Sequence, residues 1–149
     1  MKLKKKTFPA ELSYYGLYLL DYLRKFHPDK TSDTDFIRAR EESAASAFED
    51  GRREGKTVEA AQEDALRILL AGLHFSPYAL LLEVTEREFR EEITDAEREA
   101  FCREIFPHLK NLFAGYPTSD DTFALSSEYG QLYTELTGAV VLYLEAHGI

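Results

Sequence analysis

The chain has one cysteine, Cys102, one methionine and no tryptophan. A lone cysteine excludes an intramolecular disulfide and any zinc site built from several thiolates. Long apolar stretches are missing too. The uncharged run Leu12 to Leu20 is preceded by Pro9 and Glu11, and Asp21 follows where a small-residue cleavage site would sit. That pattern argues against a secretory leader. No run reaches the roughly 20 residues of a membrane-crossing helix. Cations are scarce after Lys110: no Lys or Arg follows it, while Asp120, Asp121, Glu128, Glu135 and Glu145 do. The formal net charge is −9, and Lys2, Lys4, Lys5 and Lys6 leave the remaining residues at −13. Binding to phosphates draws on clustered cations, so direct nucleic-acid binding is not expected. Residues 1–9 read as a basic, solvated arm. The expected location is the cytoplasm, with no membrane contact.

What is present suffices for a core. The chain has 149 residues, 44% of them hydrophobic and 13% aromatic, well above the composition of a disordered protein. Sustained alternation of apolar and polar residues is absent, whereas apolar residues recur at helical spacing. The expected fold is all-α, a compact multi-helix bundle of about six helices, with residues 10–149 forming a single domain. The first helix is predicted to run from near Pro9 to just before Pro28, with Leu12, Tyr15, Leu19, Tyr22, Leu23 and Phe26 on one face. Tyr14, Leu17 and Leu20 add apolar surface on the other side. A second helix, from about Asp35 to Glu54, is capped by Ser32 or Asp33 and packs small residues inward. Thr57 caps a third that reaches about Gly72, with Val58, Ala61, Ala65, Ile68 and Leu69 inward. Ser76-Pro77, a cap and a first-turn proline, opens a fourth. Thr94 and Glu97 form a capping box for a fifth, which Pro107 kinks or splits. The last helix spans about Ser127 to His147.

No chemical motif accompanies these helices. Glu104 and His108 stand one turn apart, but Pro107 lies between them, and no pair of Glu-x-x-His segments marks a di-iron site. Gly-rich phosphate loops and nucleophile elbows are lacking. Cys102 reads as a small buried hydrophobe. The expectation is a non-enzymatic chain with no cofactor and no bound metal. The motif His27-Pro28-Asp29 has two readings. It is the signature tripeptide of J-domain co-chaperones, which stimulate an Hsp70 ATPase, and it is also a plain helix stop followed by a turn. Against the first reading, only 26 residues precede His27 and the helix before it is rich in Tyr and Leu. His74-Phe75-Ser76-Pro77-Tyr78 is an aromatic connector that would either staple a helix start or edge a pocket. The tyrosines of the first helix exceed what one inward stripe can take, and tyrosine suits interfaces because its ring is apolar and its hydroxyl polar. Tyr14, Tyr18, His27, Pro28, Asp29, His74 and Tyr78 are therefore the candidate contact surface, for a protein partner or for self-association.

Glu11-Leu12-Ser13-Tyr14-Tyr15, Phe26-His27-Pro28-Asp29, Phe36-Ile37-Arg38-Ala39-Arg40 and Leu73-His74-Phe75-Ser76-Pro77-Tyr78 carry a resemblance over nearly the whole chain. Through them the chain resembles a Bacteroidetes domain-of-unknown-function family often found on conjugative transposons. The resemblance implies a helical fold and an accessory role on a mobile element, and it supplies no catalytic residues. The leading expectation is a helical protein-contact module whose apolar first helix invites a second copy, as in a homodimer. The alternatives are the co-chaperone and an acidic decoy of a DNA-binding protein.

Overall fold

The computed structural model describes residues 13–148. The expected basic arm and the expected helix start at Pro9 fall outside them. Within the described residues there is no strand, and six helices of eleven residues or more account for most of the chain. They are α1 (Tyr14–Phe26), α2 (Thr34–Arg53), α3 (Val58–Leu69), α4 (Pro77–Glu88), α5 (Asp95–Ile105) and α7 (Glu128–Ala146), with a short α6 (Lys110–Ala114) before the last. Their contacts separate into two units, one ending at Ala71 and the other beginning at Gly72.

Helix starts follow local chemistry. Asp33, rather than Ser32, caps α2 by accepting the Phe36 amide at 3.2 Å. Thr57 accepts from Ala60 at 3.1 Å, and Ser76 accepts from Ala79 at 2.9 Å with Pro77 in the first turn. Thr94 and Glu97 close the capping box of α5. Each side-chain acceptor satisfies an amide that has no partner in the first turn. Pro107 splits the fifth helix as expected. α5 stops at Ile105, a 3-10 segment carries Phe106–Leu109, and α6 resumes at Lys110.

The first unit is a three-helix cluster. α1 buries Tyr15, Leu19, Leu20 and Leu23, and the Tyr15 hydroxyl donates to Gln62 Oε1 at 2.9 Å. α2 and α3 form a hairpin that packs on small residues, Ala44 and Gly51 against Ala61 and Ala65. Gly55, at φ +93°, ends α2 in the left-handed conformation that only glycine adopts without strain. Arg40 of α2 donates to the Leu69 carbonyl at 2.9 Å and so caps the end of α3. Four placements differ from the sequence pattern. Val58, Ile68 and Phe26 are exposed and Leu20 is buried, because helical period alone leaves the facing direction uncertain by about one residue step.

The second unit has its own hydrophobic core. Leu132, Leu136, Val140 and Leu144, spaced by four, are the buried stripe of α7. They share one cluster with Tyr78, Leu81 and Val84 of α4, Cys102 and Ile105 of α5, and Phe113 and Phe123. Phe75 and Phe123 meet edge to face with centroids 4.9 Å apart, a favoured aromatic geometry. Cys102 is fully buried with Sγ 3.5 Å from the Thr85 hydroxyl, and burial pushes its thiol pKa up despite that contact.

Gly51 gives a direct test of the small-residue hairpin. A Cβ at this position would lie 3.1 Å from the Ala61 Cβ. Gly51→Val is expected to destabilise the protein by about 2 kcal/mol, the usual size of an overpacking penalty. Ala39→Val, at an exposed position of the same helix, should cost less than about 1 kcal/mol. Chemical denaturation of both variants measures the difference.

Candidate interaction surfaces

On α1, the side opposite the core is apolar. Tyr14 is 58% exposed and Tyr18 38% exposed, and Leu17 is exposed with them. The Tyr14 ring meets the rings of Tyr15 and Tyr18 at centroid distances of 5.3 and 6.0 Å, so the aromatic patch is a connected surface. One turn further, Asp21 and Lys25 form an exposed ion pair at 3.2 Å, and the rings of Tyr22 and Phe26 meet at a tilt with centroids 4.8 Å apart. Tyr18, Asp21, Tyr22, Lys25 and Phe26 line an open hollow of about 230 Å³. It lies along one helix and is too open to enclose a small molecule. Leu17 belongs to this surface as fully as the two tyrosines.

The turn after α1 differs from what a contact site at His27-Pro28-Asp29 requires. His27 is only 5% exposed. Its amide donates to the Leu23 carbonyl at 2.7 Å, and its carbonyl accepts from Lys30 at 2.9 Å. The imidazole centroid lies 6.1 Å from that of Tyr22. Pro28 is half-buried at the head of a 3-10 turn, Pro28–Lys30, and Asp29 alone is exposed, 3.8 Å from the Lys30 ammonium. The histidine therefore closes the helix and does not belong to the contact surface expected from the sequence.

His74 and Tyr78 belong to the second unit and have opposite surroundings. Tyr78 is 1% exposed, which corrects its place among the surface candidates: at the second position of α4 it points into the core. Its ring meets Phe106 edge to face at 5.3 Å, and the Arg103 guanidinium stands 5.4 Å from the ring centroid. Its hydroxyl has no hydrogen-bond partner among the described residues, and burial raises its pKa. His74 is exposed, with Nδ1 3.1 Å from Asp121 Oδ2. Asp121 also accepts the amides of Gly72 and His74, each at 3.0 Å. Burial alone would raise the Asp121 pKa, but the two amides and the imidazole outweigh it and hold the carboxyl below its ordinary value. Gly72, at φ +81°, supplies the turn that aims its amide at this carboxylate. The pair is separated by 47 residues in sequence, and no local motif ties Asp121 to His74. Geometrically this is a loop clamp that orients one exposed imidazole. No cluster of three or more His, Cys, Asp or Glu side chains able to hold a metal occurs among the described residues.

Charge divides with the units. Residues 1–71 contain thirteen cationic and thirteen acidic side chains, and residues 72–149 five and fourteen, so the whole formal charge of −9 sits in the second stretch. There, tyrosine hydroxyls donate to carboxylates: Tyr116 to Glu135 at 2.6 Å and Tyr133 to Glu88 at 2.9 Å. The Glu135 hydrogen bond pushes the Tyr116 pKa up to about 12. The sequence pattern did not single out a further apolar surface on α7, where Val141 and Leu142 are exposed. Its only sequence signal is the uncharged run from Leu136 to Leu144, longer than one buried stripe needs.

Comparison with known proteins adds a family. The family described as "Domain of unknown function (DUF1896)" matches residues 7–149. The crystal structure of protein PG0816 from Porphyromonas gingivalis, a member of the Bacteroidetes, is similar to this chain at 36% identity, with a TM-score of 0.84. The similarity covers 95% of this chain and 96% of that one. A search of curated proteins gave no match. Among the described residues no helix is long and apolar enough to cross a membrane.

Two measurements test these assignments. Asp121 has a lowered folded pKa, so its stabilising contribution is present above the unfolded value of about 3.9 and fades as pH falls through the folded value. Asp121→Ala should lower the melting temperature at pH 7, and its difference from the parent should shrink below about pH 4. Tyr78→Phe removes a buried hydroxyl without a protein partner. It is expected to leave stability unchanged or raise it by about 1 kcal/mol, as read by denaturant titration.

Proposed function

The chain belongs to the family described as a domain of unknown function (DUF1896), and for this member we propose a role exercised through protein contacts rather than catalysis, with the outer face of α1 as the contact surface and a second copy of the chain as the partner. The supporting observation is the exposed stripe Tyr14, Leu17, Tyr18, flanked by the Asp21–Lys25 ion pair. These residues lie on one helical face, at intervals of three and four. Two such faces laid antiparallel about a two-fold axis are self-complementary. Tyr14 then meets the Lys25 ammonium of the other copy, a cation–π pairing, and the Tyr18 hydroxyl meets the other Asp21. The first unit carries no net charge, so its approach to a copy of itself meets little repulsion.

Magnitude sets the strength. A helix of 13 residues is about 20 Å long, and one helix-on-helix contact of that length stays below the ~1,200 Å² of a standard interface. The association is therefore weak and reversible. An accessory role on a mobile element, which the family resemblance implies, is compatible with such a contact module. A location of the coding gene away from transfer genes would remove that part. A co-chaperone role through His27-Pro28-Asp29 is disfavoured by the burial of the His27 ring.

Sedimentation equilibrium over a micromolar range should show a monomer–dimer equilibrium. Tyr18→Glu, which places a carboxylate in the stripe beside Asp21, should shift it to monomer, while Glu92→Gln at an exposed position of the second unit should not. A monomer at every concentration, with no change for Tyr18→Glu, would remove self-association as the function of this face.

A further inference from the structure

We infer that the outer face of α7 is a docking surface for a cationic amphipathic helix of a partner protein. It is a different face, in a different unit, from the one assigned to self-association. Three observations converge on it. First, Leu142 is 67% exposed and Val141 is exposed beside it. Gly138, one turn before Leu142, opens the surface, since a Cβ there would meet nothing within 4 Å. An apolar side chain arriving from outside has room to pack against Leu142 over that glycine.

Second, the rim is acidic, and α7 carries no Lys or Arg of its own. Glu135 and Glu145 are exposed on the same face, and no Lys or Arg occurs after Lys110. The negative charge is not dispersed over the protein but collected in this unit, as the even balance of the first 71 residues shows.

Third, α7 ends without the Lys or Arg that the other five long helices have. The last turns of α1, α2, α3, α4 and α5 contain Arg24 and Lys25, Arg52 and Arg53, Arg67, Arg87, and Arg103 respectively. The last turn of α7 contains no Lys or Arg, and Glu145 lies there instead, while the His147 ring at the helix end has its Nδ1 2.9 Å from the Tyr143 carbonyl. The C-terminal carbonyls of a helix carry partial negative charge, which a nearby carboxylate makes worse and an ammonium or guanidinium relieves. The apolar patch and the Glu145 carboxylate lie one turn apart. A helix with aliphatic residues on one side and Lys or Arg along its edges matches both. A second copy matches less well, because this unit would meet its own charge.

The test uses the full chain and a fluorescein-labelled helical peptide with leucine on one face and lysine on the other. A peptide of the same pattern with glutamate in place of lysine is the control. Fluorescence anisotropy should show binding of the lysine peptide that weakens with added salt, and none of the glutamate peptide. Leu142→Ser and Glu145→Gln should each weaken binding by about tenfold, with circular dichroism unchanged because both side chains are exposed. Glu92→Gln removes an equal charge elsewhere in the same unit and should leave affinity within about twofold. Equal losses for Glu92→Gln and Glu145→Gln would mean diffuse charge attraction and overturn the site. So would unchanged binding by Leu142→Ser, or equal binding of the two peptides. Doubling of the mass of unlabelled protein that Leu142→Ser abolishes would assign the face to a second copy instead.

Discussion

A helix can bury only the sector that faces its neighbours. In units of three or four helices that sector is well under the full circumference, and the rest must be compatible with water or with another protein. α2 and α5 meet this constraint with charged outer faces, where Asp50 pairs with Arg53 and Glu99 with Arg103. α1 and α7 do not. Each buries a stripe of large apolar side chains and retains exposed apolar residues elsewhere. The candidate functions follow from that excess, since single exposed apolar residues are ordinary but connected ones mark contact surfaces.

The two surfaces differ in chemistry. On α1, aromatic rings with polar tips sit in a unit of zero formal charge. Such a surface tolerates its own copy and gains from ring stacking and hydroxyl hydrogen bonds. On α7, aliphatic side chains are bordered by carboxylates, with no Lys or Arg in the last turn. Charge of one sign does little for affinity by itself, but it selects a partner of opposite sign and speeds its encounter. The proposed contacts therefore assign one face to like and one to unlike partners.

The His74–Asp121 pair is the arrangement that most resembles a catalytic fragment. A carboxylate that holds a histidine Nδ1 is how many active sites orient their base. Here the same carboxylate also accepts two backbone amides, which accounts for it as a clamp on the loop leading into α4. The exposed Tyr14 and the buried Tyr78 illustrate a similar ambiguity. Both are tyrosines next to helix starts, and only their surroundings separate a contact residue from a core residue.

Helix starts and stops were legible in the sequence because they rest on bonds between residues a few positions apart. Thr57, Ser76-Pro77, Thr94 with Glu97, and Pro107 act on amides and carbonyls within one turn, and each marks the boundary it was expected to mark. The all-α class follows from the same short-range periodicity. Which side of each helix turns inward is a long-range outcome. It decided that Leu20 and His27 are buried and that Val58 and Ile68 are exposed. It also decided that Asp121 reaches His74 across 47 residues and that contacts divide at Ala71 and Gly72. Those results depend on the shapes of facing helices and the side chains they can accommodate, which no local window of sequence contains.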